Sequence, residues 1–139
     1  MSTSIKRGKV DYSVLKKAPE LHEIDTAEYF ADKGLDVVFL RPSNIKGSKS
    51  PDFEMAGKIW ETKSPITFSN SSFEDNFKTA EKQSKHIIFD LRRLNKRSET
   101  FYIKNLKKRS RTNIIKTLLV IDKTGNLLTI KGKFDNIKP

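Results

Sequence analysis

The chain has 139 residues and a formal net charge of +11, from 28 Lys and Arg against 17 Asp and Glu. This length is enough for one domain with a modest core, and the basic excess favours a polyanionic partner. Because the chain has no cysteine, disulfides, thiolate nucleophiles and Cys-ligated zinc are excluded, and no apolar stretch approaches transmembrane length.

The N-terminal residues 1–17 are polar and basic with little apolar periodicity, which predicts a flexible basic arm or linker before a single domain over residues 18–139. A helix is predicted from Glu20 to Lys33, because its apolar residues recur at helical spacing and Gly34 follows. Glu23 lies at the edge of the apolar stripe. It either faces the sheet or remains solvated.

A short apolar run, Asp36 to Leu40, predicts a strand, and 43–50 predicts a loop. Two further strands are predicted from Asp52 to Met55 and from Lys58 to Lys63, joined by a tight turn at Ala56-Gly57. A hairpin of this length brings Asp52 opposite Glu61. Since alternate side chains of a strand share a face, Glu61 and Lys63 project the same way.

Two carboxylates and an ammonium in this arrangement are typical of a metal-dependent nuclease. Mg²⁺ prefers hard oxygen donors and keeps several waters for chemistry at a phosphate. Lys63 would either stabilise the charge that builds at phosphorus or orient the attacking water. The alternative is an exposed strand face in which Asp52, Glu61 and Lys63 only form a salt bridge.

Downstream, Phe73 to Lys85 predicts a second helix, with Ser72 and Asp75 in a capping-box-like start, and a strand follows from His86 to Leu91. His86 and His22 are the only histidines of the chain. His86 is either a general base that faces the pocket or a residue that packs at the helix end. Near the C-terminus, Asp122 to Asn126 separates two apolar runs, which predicts a hairpin.

The basic residues are concentrated between Arg92 and Lys116, where ten stand against one acid, Glu99. Such a segment attracts a phosphate backbone. The alternatives are a solvated helix without a ligand and a docking surface for an acidic inhibitor protein. Phe101 and Tyr102 either stack on a base or pack in the core. The predicted nucleic-acid contacts are Arg92, Arg93, Lys104, Lys107, Lys108, Arg109 and Arg111.

The order of elements and the residues Pro51, Asp52, Glu61, Thr62 and Lys63 resemble the PD-(D/E)xK nuclease superfamily. More narrowly, the run from Pro51 to Ser64 and the helix that follows, with Ala80, Lys82 and Gln83, is similar to the C-terminal tRNase domains of contact-dependent growth inhibition toxins. The chain begins with Met1 and has no large delivery region, so it is either an excised toxin domain or a free-standing relative.

The resemblance implies an α/β, restriction-endonuclease-like fold with a mixed central β-sheet flanked by helices. It implies a catalytic set of Asp52 and Glu61 as ligands of Mg²⁺ or Mn²⁺, with Lys63 and the upstream Glu23. Gln83, Lys85 and His86 are the candidates for positioning the substrate.

The same resemblance implies a tRNA substrate, a cognate immunity protein, and action in the bacterial cytoplasm after secretion or delivery as part of a larger toxin. Two alternatives stay open: a DNA endonuclease with the same signature, and a non-catalytic basic module that binds nucleic acid or protein.

Overall fold

A computed structural model describes residues 6–42, 51–111 and 114–135. The described residues form seven strands and three helices, with parallel and antiparallel strand pairs. The predicted α/β class with mixed strand pairing is therefore confirmed. In chain order the elements are β1 Val10–Asp11, α1 Leu21–Asp32, β2 Val37–Phe39, β3 Phe53–Met55, β4 Lys58–Lys63, α2 Asn70–Gln83, β5 His86–Asp90, α3 Lys96–Arg109, β6 Thr117–Ile121 and β7 Leu127–Lys131.

The chain divides into two compact units. Unit 1 comprises Met1–Trp60 and Asp135–Pro139, and unit 2 comprises Glu61–Phe134. The predicted loop at 43–50 lies outside the described residues.

In unit 1, β1 pairs in parallel with β2, β2 pairs antiparallel with β3, and β3 pairs antiparallel with β4. Helix α1 forms where the sequence predicts it. Its apolar stripe buries Ala27, Phe30 and Ala31 completely, and the chain leaves the helix through Gly34 at a φ of 94°.

The predicted arm contains strand β1. The backbone N–H of Gly8 donates to the Ala31 carbonyl at 2.8 Å, and Arg7 forms ion pairs with Glu28 and Asp32. Residues 6–17 therefore contribute hydrogen bonds, ion pairs and a strand to unit 1.

The β3–β4 hairpin has the predicted register, with Phe53 opposite Trp60 and Met55 opposite Lys58. Both turn residues have positive φ, 53° at Ala56 and 75° at Gly57, as a tight primed turn requires. The Trp60 ring is fully buried, and its Nε1–H donates to the Met55 carbonyl at 2.9 Å. This hydrogen bond holds the Trp60 side chain in its buried position.

In unit 2, β5 pairs in parallel with β6, and β6 pairs antiparallel with β7 around the predicted Asp122–Asn126 turn. Helix α2 begins earlier than the sequence predicts, because the hydroxyl of Ser69, and not Ser72, caps it. The Ser69 hydroxyl accepts a hydrogen bond from the Ser72 backbone N–H at 3.1 Å, while the Ser72 hydroxyl receives the Ser69 N–H.

The basic segment contains helix α3, which packs Tyr102 and Leu106 into the core of unit 2. Tyr102 is fully buried, whereas Phe101 is 42% exposed. The two aromatic residues that the sequence treats alike therefore have different environments. No helix in the described ranges is both long enough and apolar enough to cross a bilayer.

Candidate active site

Unit 1 brings two of the predicted catalytic carboxylates together. Glu23 lies in the first turn of α1, where its Oε1 accepts the Glu20 backbone N–H at 3.0 Å in a capping box. Asp52 directly precedes β3, and its backbone N–H donates to the Trp60 carbonyl at 3.0 Å. The two side chains share a hydrogen bond, so the structure places Glu23 and Asp52 in direct contact.

This contact perturbs Glu23. Burial first, and then the charge of Asp52 and the hydrogen bond to Asp52, together raise the pKa of Glu23 to about 7. The Glu20 backbone N–H opposes this increase, since a donor to a carboxylate favours the charged form. Near neutral pH Glu23 is therefore partly protonated, and a bound cation would favour its ionised form.

Glu23 and Asp52 line a pocket of about 770 Å³ in unit 1. Its other lining side chains include three cations, Lys16, Lys17 and Arg41. The sequence interpretation missed these three, because two lie in the predicted arm and the third follows the strand β2, and neither position carries a motif. Carboxylates at the wall with cations beside them suit a phosphate-bearing ligand.

Strand β4 carries the other half of the motif. Glu61 is a buried carboxylate with only 3% exposure, and its Oε2 lies 3.3 Å from the Lys63 ammonium. The predicted alternation holds, since Trp60 and Thr62 occupy the other face. Lys63 keeps 22% of its side chain exposed, so the ion pair is open to solvent on the lysine side.

Gln83, at the last position of α2, contacts the same carboxylate. With the amide assigned so that its nitrogen faces the carboxylate, Gln83 donates to both oxygens of Glu61, at 3.1 Å to Oε1. Glu61 is thus held by an ammonium on its own strand and by an amide from the helix that follows. The predicted positioning residue Gln83 therefore lies beside the predicted catalytic pair Glu61 and Lys63.

The other two predicted positioning residues lie where α2 leads into β5. Lys85 is exposed, and its carbonyl accepts the backbone N–H groups of Lys116 and Thr117. The Nδ1 of His86 lies 2.9 Å from the Thr117 hydroxyl, and the His86 N–H donates to the Ser84 hydroxyl. The Thr117 contact orients the imidazole, and the Ser84 contact holds the backbone of His86.

Three predicted nucleic-acid contacts are held by intramolecular bonds. Arg92 forms a two-point pair with the buried Asp90, at 2.9 Å from Nε to Oδ1 and 2.7 Å from Nη2 to Oδ2. Arg109 lies 3.2 Å from Glu74, 3.5 Å from Glu81 and over the Phe77 ring. Arg93 donates to the Ser64 carbonyl at 3.0 Å.

The other four predicted contacts, Lys104, Lys107, Lys108 and Arg111, are exposed. Lys104, Lys107 and Lys108 belong to α3, and Arg111 follows the helix. The predicted basic surface is therefore divided into arginines that stabilise the fold and residues that present their charge to solvent.

A divalent metal site needs several oxygen or nitrogen donors close together. Within 6–42, 51–111 and 114–135, no group of three or more His, Cys, Asp or Glu side chains is placed to hold a metal ion. Mg²⁺ commonly uses only one or two protein carboxylates, with water and substrate phosphate completing the shell. Asp52 and Glu61 are each a hard oxygen donor of the kind that this ion prefers.

No curated protein matches this chain. A solved structure, described as a CdiA-CT/CdiI toxin and immunity complex from Burkholderia pseudomallei, is similar to it with a TM-score of 0.63 and 22% sequence identity. The likeness covers 89% of this chain and 99% of that one, and at this identity it shows a shared fold.

A family model matches residues 49–127, which is more than half of the chain. That segment contains the β3–β4 hairpin, Glu61, Lys63, Gln83 and the basic helix α3. The chain belongs to the family of the contact-dependent growth inhibition CdiA C-terminal domain.

Proposed function

We propose that this protein is the toxin domain of an interbacterial competition system and acts as a metal-dependent endonuclease on RNA, with tRNA as the preferred substrate. One observation carries the proposal: a buried strand glutamate, Glu61, lies 3.3 Å from Lys63 and accepts hydrogen bonds from Gln83. Membership of the CdiA C-terminal domain family supports the toxin role.

A buried carboxylate is costly, because it loses its hydration. A packed apolar side chain at Glu61 would often serve the fold as well or better. Glu61 and Lys63 lie on one strand, and Gln83 lies on the helix that follows it. Their arrangement is therefore better explained by a catalytic role than by a contribution to stability.

Each residue has a role in this mechanism. Asp52 and Glu61 would hold a Mg²⁺ or Mn²⁺ ion, which when bound would supply positive charge at the scissile phosphate and water of lowered pKa. Lys63 donates to the phosphate oxygens as negative charge develops, or orients the attacking water. Gln83 fixes the Glu61 carboxylate, and Glu23 completes the acidic set through Asp52.

The resemblance and the family support the choice of substrate and partners. The narrower resemblance of the Pro51 to Ser64 run favours tRNA, and the exposed lysines of α3 favour a polyanion. The similar solved structure is a complex of a toxin with its immunity protein, and we propose that a cognate immunity protein neutralises this chain also. The domain would be delivered as part of a larger toxin and act in the cytoplasm of the recipient cell.

The first test is cleavage of total bacterial tRNA, single-stranded DNA and double-stranded DNA, each with Mg²⁺, Mn²⁺ or EDTA. We expect discrete tRNA fragments with metal and none with EDTA. Asp52→Ala should lower the rate by a factor of about 10² to 10³, the usual cost of losing one group that stabilises the transition state.

Glu54→Gln is the matched control, since Glu54 is an exposed carboxylate two residues from Asp52 in the same hairpin. It should cleave like the parent protein. Cutting of DNA alone would assign the site to a DNA endonuclease, and equal cleavage by the parent and Asp52→Ala would reject the site. Absence of all cutting would favour a binding module.

A further inference from the structure

One exposed stripe of α3 combines cations with an aromatic ring. Arg97, Phe101, Lys104 and Lys108 follow one another at intervals of four, three and four residues, so they share one face of the helix. All four are exposed. We call this set the α3 stripe. It is about 16 Å long at 1.5 Å per residue.

The stripe lies away from the face that α3 buries. Tyr102 and Leu106 are fully buried in the core of unit 2. The acid of this helix, Glu99, accepts a hydrogen bond from the Lys123 backbone N–H, which holds its charge away from the stripe. Phe101 is therefore an apolar residue on the charged side of an amphipathic helix, where a polar residue is the usual choice.

The Phe101 ring is fixed as well as exposed. It stacks on Phe68 with a centroid distance of 5.7 Å and an interplanar angle of 18°. Phe68 in turn contacts Phe73 and the buried Tyr102. The Arg97 guanidinium lies over the Phe101 ring, 6.0 Å from its centroid. The core thus supports one side of the Phe101 ring. The residue as a whole is 42% exposed, and a cation lies next to the ring.

We propose that the α3 stripe binds an unpaired segment of the RNA substrate, with Phe101 stacking on a base and Arg97, Lys104 and Lys108 contacting the phosphates on either side. The inference deepens the proposed function and rests on RNA being the substrate. A supported aromatic ring accepts any base because every base has a π face, and cations along the same line neutralise the backbone.

The chemistry of the stripe selects this occupant. Three cations and no acid along the stripe require a polyanion. An aromatic ring gains from a partner that is planar and aromatic, which the paired bases of a duplex cannot present because their faces are already stacked. An unpaired loop or end of a folded RNA offers both the phosphates and the free bases.

The test measures binding without cleavage. Lys63→Ala protein in EDTA is titrated against a labelled 12-nucleotide single-stranded RNA and against a duplex RNA of the same length, at several salt concentrations. In that background Phe101→Ala should weaken single-strand binding by about tenfold, within the usual range for one stacked base. It should leave the salt slope and the duplex affinity unchanged, and Phe101→Trp should restore single-strand binding.

Lys104→Gln combined with Lys108→Gln should instead reduce the salt slope by about 1.4, since each lost phosphate contact on a single strand contributes about 0.7. Leu21→Ala is the control, because Leu21 is an apolar residue of α1 that is 73% exposed. It should bind like the parent. Circular dichroism establishes that each variant is folded.

The proposal is overturned if Phe101→Ala binds single-stranded RNA as the parent does, or loses single-strand and duplex binding equally. It is also overturned if Phe101→Ala weakens only the complex with an acidic protein. These outcomes are separable from those of the cleavage test. If the protein cuts tRNA and Phe101→Ala binds RNA like the parent, only the proposal for the α3 stripe is refuted. If Phe101 stacks on RNA and nothing is cut, only the nuclease proposal is refuted.

Discussion

The two units hold their acidic residues by opposite means. In unit 1, Glu23 contacts another carboxylate, Asp52, and burial together with that neighbour raises the pKa of Glu23 to about 7. In unit 2, Glu61 is more deeply buried, yet it contacts the Lys63 ammonium at 3.3 Å and the Gln83 amide. One arrangement is a pair of like charges, and the other contains its own counter-charge.

The difference indicates what each arrangement is suited to bind. Two carboxylates that repel each other bind a proton or a metal ion favourably, since either one relieves the repulsion. A carboxylate that is already neutralised by a lysine has a fixed orientation, and its lysine retains donors for a phosphate. The proposed endonuclease would use both properties, the first for a metal ion and the second for a phosphate.

The largest effect should come from removing the counter-charge of Glu61. Lys63→Met removes the ammonium beside a buried carboxylate, and we expect the unfolding free energy to fall by about 2 kcal/mol at pH 7. This is below the cost for a fully buried pair because Lys63 is partly exposed. Cleavage should fall by a factor of about 10³. Urea denaturation and initial tRNA cleavage rates measure the two effects.

Lys58→Met is the matched control for this change. Lys58 belongs to the same strand but projects to the other face, two residues before Trp60. It should change stability by less than about 0.5 kcal/mol. Equal behaviour of the two variants would show that Lys63 is an ordinary strand lysine and that the Glu61 site is misassigned.

The next effect concerns the like-charge pair and depends on pH. Because folding raises the pKa of Glu23 from 4.5 to about 7, the folded protein keeps a proton that the unfolded chain releases between these values. The stability that this proton gives the folded protein is fully present below about pH 4.5 and is lost as the pH rises through about 7. Because Glu23 is half-exposed, we expect the unfolding free energy to fall by only about 1 to 2 kcal/mol over this pH range.

Glu23→Gln should remove this pH dependence. The variant should be more stable than the parent at pH 8 and equal to it at pH 4, in urea titrations with EDTA present. Its Oε1 can still accept the Glu20 N–H, so the helix cap is preserved. Glu54→Gln, on an exposed residue of the same unit, should retain the slope of the parent. An unchanged slope in Glu23→Gln would contradict the coupling between Glu23 and Asp52.

Much of this organisation follows from local sequence patterns. Helix α1 and the β3–β4 hairpin were predictable, because helical periodicity and a two-residue turn are short-range signals. The alternation in β4 then assigned Glu61 and Lys63 to one face. The start of α2 was placed too late because Ser69 and Ser72 are both suitable caps, and only the folded backbone distinguishes them.

The distribution of charge was not predictable in the same way. The sequence treats Arg92, Arg109 and Lys108 alike, whereas the structure engages Arg92 with Asp90 and Arg109 with Glu74 and Glu81. These partners depend on packing between elements, which a local pattern does not contain. The same holds for Phe101 and Tyr102, which are adjacent in the chain and differ because one face of α3 is buried.

The smallest effect should come from the amide that supports Glu61. Gln83→Ala removes the hydrogen bonds to both carboxylate oxygens but leaves Lys63 in place, so we expect a loss of about 1 kcal/mol in unfolding free energy. Lys82→Ala, on the exposed neighbour in the same turn of α2, should cost less than about 0.5 kcal/mol.

The cleavage kinetics of Gln83→Ala distinguish two roles for the contacts of Glu61, orientation of the carboxylate by Gln83 and neutralisation of its charge by Lys63. If Gln83 orients Glu61, Gln83→Ala should lower the tRNA cleavage rate by about tenfold and raise the Mg²⁺ concentration needed for half-maximal rate, because a carboxylate that samples several rotamers binds a metal less well. A parent-like rate and metal dependence would mean that Gln83 does not orient the carboxylate. In that case the contrast between the two units would rest on the ion pair of Glu61 with Lys63.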